Sequence, residues 1–217
     1  MCSRSMLMIA LLLIASIARA QGNGIAVPPS VAVGGKTQGE WSRLWWQWAA
    51  SFEPDDSPVA DRTGKFCHLK QSGPVWFLAG TYGAHRTIRT CMVPKDTYLF
   101  FPLVNYVVGP TGQIRAEECD VCCAQNEAAA RSMTDGPSDL VLDLDGQRVE
   151  QLETYRQVSP ACFDLGALAN PRTRVFPSAS NGYYVMLKPL SAGKHELNFG
   201  GRLPSLFQAV TYTLIVE

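Results

Sequence analysis

Lys36-Thr37-Gln38-Gly39-Glu40-Trp41-Ser42-Arg43-Leu44-Trp45-Trp46-Gln47-Trp48-Ala49-Ala50-Ser51-Phe52 carries four of the chain's five tryptophans and decides how the rest is read. Thr37 followed three residues on by Glu40 is a capping box. The threonine hydroxyl takes an orphan amide of the first turn, and the glutamate reaches back to the threonine amide. Glu40 also places negative charge at the positive end of the helix dipole. Pro54, which lacks an amide and crowds the preceding turn, stops the helix. At about 100° per residue, Trp41, Leu44, Trp45, Trp48 and Phe52 form one apolar stripe. Each indole covers about 150–250 Å², so the stripe has to be buried against a hydrophobic core. Trp46 lies off the stripe, about 140° from Trp41. That position marks it as a candidate for a ligand surface, stacking on a sugar ring.

Downstream the sequence reads as strands and turns. Pro74-Val75-Trp76-Phe77-Leu78-Ala79 is apolar on both faces and predicts a buried strand. Thr87 to Val93 alternates as a half-exposed strand does. Thr97 to Val108 predicts a second doubly apolar strand, with Leu99, Phe101 and Leu103 on one face, Tyr98, Phe100 and Val104 on the other, and Asn105 following on the Leu99 face. Ile114 to Met133 is a second helix, ended by Gly136-Pro137. Asp145-Gly146 is a hairpin turn. Residues 150–180 read as irregular, and Asn181-Gly182 opens a strand over Tyr183 to Leu187. In the last strand Val210, Tyr212, Leu214 and Val216 face the core. Short strands between Gly/Pro turns, without βαβ alternation, predict a mainly β fold: a β-sandwich or jelly-roll-like domain with an N-terminal Trp-rich helix and one inserted helix.

Residues 1–20 have the pattern of a signal peptide: basic Arg4, the apolar run Met6 to Ile17, and Ala18-Arg19-Ala20 as the cleavage site. The expected product is one exported domain, 21–217, periplasmic or secreted and without a transmembrane segment, beginning with a loose arm over 21–35. Arg4 and Arg19 leave with the signal, taking the 19 basic residues to 17 against 19 acidic, a net of −2. That balance offers no electrostatic case for nucleic acid.

Cleavage removes Cys2 and leaves Cys67, Cys91, Cys119, Cys122, Cys123 and Cys162, an even number in an exported chain, which implies disulfides. Cys67 and Cys91 flank the first buried strand and are expected to pair. A bridge between the neighbours Cys122 and Cys123 would be strained. One of them is therefore expected to pair with Cys162 and the other with Cys119. No second CxxC or histidine pair completes a zinc site, so neither metal nor cofactor is expected.

No motif names a reaction. Ser72 is not in a nucleophile elbow, and Gly34-Gly35-Lys36-Thr37 lacks P-loop spacing. His195 shares strand parity with Leu197 and Phe199 and is expected to point inward, satisfied by a carbonyl. Glu40, Glu53, Asp55, Asp56 and Asp61 could supply the carboxylate pair of a glycoside hydrolase. Polar residues inside apolar runs are the better clue, because a buried polar group requires a partner. Trp46, Gln47, Asp61, Arg89 and Asn105 are the candidate ligand-binding set if they converge on one cavity.

The segments Gly39-Glu40-Trp41-Ser42 with Trp45-Trp46-Gln47-Trp48, Gln71 through Gly80, Arg89-Thr90-Cys91 with Phe100-Phe101-Pro102, and Gly182 to Val185 through His195 to Gly201 resemble a group of exported bacterial proteins of no established activity. The resemblance implies secretion. The Cys119-Cys122-Cys123 cluster departs from that group's pattern. The expected function is a non-enzymatic binding or interaction module for carbohydrate or cell-envelope components. The alternatives are an extracellular glycan hydrolase using the loop carboxylates, and a purely structural envelope protein.

Overall fold

The computed structural model describes residues 24–83, 85–110, 119–169 and 174–217. The expected export segment and residues 114–118 of the second predicted helix lie outside the described residues. The first helix, α1 (Gln38–Ala49), opens with the capping box formed. Thr37 Oγ1 accepts from the Glu40 amide at 3.2 Å, and Glu40 Oε2 accepts from the Thr37 amide at 2.8 Å. It ends short of Phe52: the Ser51 amide reaches back only three residues, to the Trp48 carbonyl, which tightens and closes the last turn. Pro54 then opens a separate 3₁₀ turn, Pro54–Asp56.

Nine strands among the described residues form two sheets. The first runs β1 (Val75–Phe77), β3 (Tyr98–Val108), β7 (Ala179–Leu187), β6 (Arg156–Val158). The second runs β2 (Arg86–Val93), β9 (Leu206–Val216), β8 (Gly193–Leu203), β4 (Ser138–Leu144), β5 (Gln147–Arg148). β1 pairs with β3, and β2 with β9, in parallel; the other pairs are antiparallel. This is the predicted sandwich, with α1 on one side and α2 (Cys119–Met133) as the inserted helix.

The core has two compartments. Between the sheets, Leu99, Phe101 and Leu103 of β3 and Val185 and Leu187 of β7 meet Leu197, Phe199, Tyr212 and Leu214. On the outer face of the first sheet, Trp41, Trp45 and Trp48 lie against Val75, Phe100, Tyr184 and Met186. Both faces of β7 are therefore covered, and all nine of its residues are buried. Gly39 lets α1 come this close, since a Cβ there would lie 2.5 Å from the Val158 carbonyl oxygen.

Three local expectations are corrected. Asn181-Gly182 does not open β7 but lies inside it, the strand starting at Ala179; Gly182 is needed because a Cβ would come within 2.7 Å of the Asn105 Cα on the paired strand. The stretch 150–180 contains β6 and the 3₁₀ turn Leu152–Tyr155. The described part of the presumed loose arm is docked: Val27 bonds Met186, Ala26 bridges Leu187, and Val27 and Val33 are buried beside α1. Asp145-Gly146 does turn β4 into β5, both residues at positive φ (53° and 81°).

Two disulfides are formed among the described residues. Cys67–Cys91 is the expected staple, and Cys123–Cys162 ties α2 to the loop after β6. The expected pairing of Cys122 is overturned, because it carries a free thiol. Adjacent residues on a helix point about 100° apart, so when Cys123 faces Cys162 its neighbour faces elsewhere. The Cys119 side chain lies outside the described residues.

Non-reducing peptide mapping should recover peptides linked 67–91 and 123–162, with Cys122 alkylated. Removing the first bridge, which closes a 24-residue separation, should lower stability by about 2–4 kcal/mol, read from urea midpoints of a Cys67→Ala/Cys91→Ala variant.

Candidate functional site

The four indoles of α1 each need an acceptor for their N–H. Trp41 donates to Val33 O (3.0 Å), Trp45 to Leu78 O (2.9 Å), Trp48 to Leu69 O (3.1 Å), and Trp46 to the Tyr184 hydroxyl (2.9 Å). The first three acceptors are backbone carbonyls, and those rings are sealed. The fourth is a side chain in the middle of β7, and Trp46 stays half-buried. Tyr184 itself is fully buried, and burial pushes its phenol pKa up against the hydrogen bonds it receives, so it stays neutral.

The Tyr184 hydroxyl also accepts from Asn105 Nδ2 at 3.0 Å. This contact depends on a feature that the sequence reading missed. The β3–β7 register shifts between Pro102 and Val104, a β-bulge. One extra residue reverses the facing of everything after it. Val104 and Tyr106 therefore pack with the inter-sheet core, while Asn105 turns to the outer face beside Tyr184. The expectation that Asn105 follows on the Leu99 face is overturned. The signal was Pro102: a proline within a paired strand marks a bulge, since it cannot donate to the ladder. The bulge is held from the opposite sheet. Buried Gln208 of β9 donates through Nε2 to Pro102 O and Leu103 O, both at 2.8 Å, and its Oε1 accepts the Thr81 amide at 2.8 Å.

Trp46 and Asn105 thereby open onto one cleft of about 320 Å³, lined also by Val59, Thr81, Tyr82 and Leu165. Its far rim is Tyr106, whose hydroxyl shares a 2.7 Å hydrogen bond with Ser205 Oγ. No Asp, Glu, Lys, Arg or His among the described residues lines it. Larger hollows of about 650 Å³ beside α2 and 600 Å³ beside the Cys67–Cys91 bridge contain none of the five candidate residues.

The other three candidates do not line the cleft; they build its walls. Gln47 is buried and donates to Asp164 O at 2.8 Å, which fixes the loop that presents Leu165. Arg89 is 1% exposed. Its guanidinium reaches Asp61 O (2.7 Å), Val59 O (3.1 Å), Ala79 O (2.7 Å), Gly80 O (2.9 Å) and the Tyr212 hydroxyl (3.2 Å). It thus gathers the segments that carry Val59 and Thr81. Asp61 organises its own loop by accepting from the Thr63 amide and hydroxyl and the Phe66 amide. Burial opposes its charge, but those donors prevail and hold its pKa below the usual carboxylate value.

Two other clusters have the residue types of a reactive site. Cys123, Glu127 and Cys162 bring three ligand-type atoms within 4.8 Å of one another, but the two sulfurs are bonded to each other and offer no thiolate. Asp145, His195 and Ser191 have the order of a catalytic triad. Asp145 Oδ2 is 2.6 Å from His195 Nδ1, and Ser191 Oγ is 3.4 Å from Nε2. However, Nε2 lies closer, at 2.9 Å, to the Ser191 carbonyl. Burial of the ring works against its charge, but the carboxylate and carbonyl outweigh it and raise the His195 pKa. A ring that donates from both nitrogens has no lone pair for a nucleophile. The histidine is satisfied by a carbonyl, as expected, but at the sheet's end and not in the core, and it ties the 188–192 turn to the Asp145-Gly146 hairpin.

In comparisons with known proteins, no family model, no curated protein and no solved structure matches the chain.

Arg89→Leu would leave the Val59, Asp61 and Gly80 carbonyls without a side-chain donor, while Ala79 O keeps the Tyr212 hydroxyl. At about 1–3 kcal/mol per buried unsatisfied group, it should destabilise by at least about 3 kcal/mol in urea unfolding. Arg89→Lys should rescue little of this, because three ammonium hydrogens on one centre cannot span acceptors on separate loops.

His195 and Asp145 give the stability a pH window. The raised histidine pKa means that its contribution is complete below the ordinary value of 6.5 and is lost as pH rises through the folded value. The lowered Asp145 pKa, to which burial is opposed and the His195 and Glu196 hydrogen bonds contribute, keeps its share above 3.8 and loses it as pH falls through the folded value. Melting temperature should therefore fall between pH 5 and 8.5 more steeply in wild type than in His195→Gln. Parallel profiles would refute the coupling.

Proposed function

We propose that the protein is an exported binding module, acting in the periplasm or outside the cell, and that the α1–β3 cleft holds a carbohydrate or carbohydrate-bearing envelope component. The observation that carries this reading is the convergence of Trp46 and Asn105 on one open cleft. The tryptophan left off the buried stripe and the asparagine turned outward by the bulge share a single hydrogen-bond acceptor, the buried Tyr184 hydroxyl behind the cleft. About 320 Å³ is at the low end for small-molecule sites, and the lining of aromatic and aliphatic walls with a few placed polar groups is their usual composition. Two disulfides fit a chain that works in an oxidising compartment. No helix among the described residues is long and apolar enough to cross a membrane.

The hydrolase alternative gains no support from the cleft. Glycoside hydrolysis requires two carboxyl groups across the scissile bond, and Glu40, Glu53, Asp55, Asp56 and Asp61 all lie off it. Glu40 is engaged in the capping box and Asp61 in its loop. A purely structural role would suit an aromatic cluster closed on every side, whereas Trp46 borders open space.

A glycan array of the mature chain should give at least one hit. Trp46→Ala should then weaken binding of that glycan roughly tenfold or more, about 1.4 kcal/mol, in a fluorescence or calorimetric titration. A Trp46→Ala protein that melts much lower yet binds unchanged would overturn the assignment of the cleft.

A further inference from the structure

The lining of the cleft points to the class of ligand, given the binding-module reading on which this inference rests. We propose that the cleft selects an uncharged, hydroxylated ring and rejects charged sugars, with Asn105 as the residue that sets the selection.

The argument starts from which polar atoms remain unused. Asn105 Nδ2 is occupied by the Tyr184 hydroxyl, whereas no donor among the described residues reaches Asn105 Oδ1. It is an acceptor at the floor of the site. Thr81 Oγ1 already accepts the Gly83 amide at 3.1 Å, which leaves its proton to donate. Tyr106 and Ser205 share one hydrogen bond, so of their two protons one remains for a ligand. Tyr82, 72% exposed at the mouth, adds a further hydroxyl. The cleft therefore presents one amide acceptor and several hydroxyls, able to donate and accept, among apolar walls. A sugar ring has the complementary make-up: hydroxyls that both donate and accept around a rim, and C–H groups on its faces.

The same inventory works against charge. A carboxylate, phosphate or ammonium entering this site would lose water and meet no counter-charge among the described residues that line it, and burying an unpaired ion is far more costly than burying a neutral hydroxyl that finds a partner. The guanidinium behind the wall, Arg89, is 1% exposed and fully engaged with the carbonyls and hydroxyl that it holds. A purely apolar ligand is rejected by the opposite route, since it would cover Asn105 Oδ1 and the hydroxyls without pairing them.

The test titrates the mature protein with neutral trisaccharides of glucose, mannose and N-acetylglucosamine, and with trigalacturonate and the glucosamine trimer as charged counterparts, following tryptophan fluorescence and heat. At least one neutral trimer should bind, and both charged trimers should bind at least tenfold more weakly than it. Asn105→Ala should weaken that neutral trimer about tenfold. Thr81→Val, which keeps the wall's shape and removes one hydroxyl, gives a second reading if Asn105→Ala does not fold, and should lower affinity severalfold. A charged trimer that binds as tightly as the best neutral one would overturn the selectivity and leave the binding-module reading intact. Failure of every trimer, together with an empty glycan array, would overturn both.

Discussion

Four indole N–H groups on one short helix have to find acceptors away from water, and most of the molecule follows from how they do so. A buried indole contributes a large apolar area but demands one hydrogen bond. Trp41, Trp45 and Trp48 satisfy that demand with carbonyls from three separate segments, at Val33, Leu78 and Leu69. The helix is thereby pinned at once to the docked N-terminal arm, to the end of β1 and to the loop before β1. Trp46 bonds the first sheet itself, through Tyr184. The rings also meet one another and Phe77 in edge-to-face and tilted contacts, so the helix is fixed in rotation as well as position. That fixed rotation aims Trp46 at the cleft.

The second constraint is the bulge in β3. A strand buried on both faces has no free side on which to present a polar residue without disturbing a core. One extra residue after Pro102 solves this by exchanging the faces partway along. The first part of β3 packs Phe101 and Leu103 inward, and the last part can offer Asn105 outward. The carbonyls that the bulge would strand are taken by Gln208 from the opposite sheet. Gln208 also holds the amide of Thr81, so one buried side chain links the bulge, the loop over the cleft and the far sheet. Arg89 performs a similar task on the other wall. Both are buried polar groups whose role is to satisfy irregular backbone, and irregular backbone is where a sheet protein can build a site.

Of the five residues singled out from the sequence, Trp46 and Asn105 line the cleft, whereas Gln47, Asp61 and Arg89 bond to backbone around it and do not. The rule that buried polar groups require partners picks out Gln47, Arg89 and Asn105, and each is hydrogen-bonded. It could not tell a partner in the ligand space from a partner in the backbone, since both satisfy the same requirement. Trp46 was identified from a helical wheel alone. Gln208 escaped notice because its neighbours, Phe207, Ala209 and Val210, show nothing unusual; its significance lies in two carbonyls more than a hundred residues away. The Asp145–His195 pair is illegible for the same reason, since its two members stand 50 residues apart in the chain.

The sequence by itself determined the helix, its cap and its buried stripe, the mainly β class, the Asp-Gly hairpin, the inward residues of the last strand and the Cys67–Cys91 staple. Each of these rests on a local period or a short separation along the chain, and local geometry is written in neighbouring residues. Tertiary structure alone decided which way Asn105 faces, which of Cys122 and Cys123 reaches Cys162, where the indole protons go and that Trp46 meets open space. These depend on a one-residue register shift and on contacts between segments far apart in the chain. A period of two or of 3.6 carries no record of where it slips, so the parity that builds the cleft appears only when the second strand is laid beside the first.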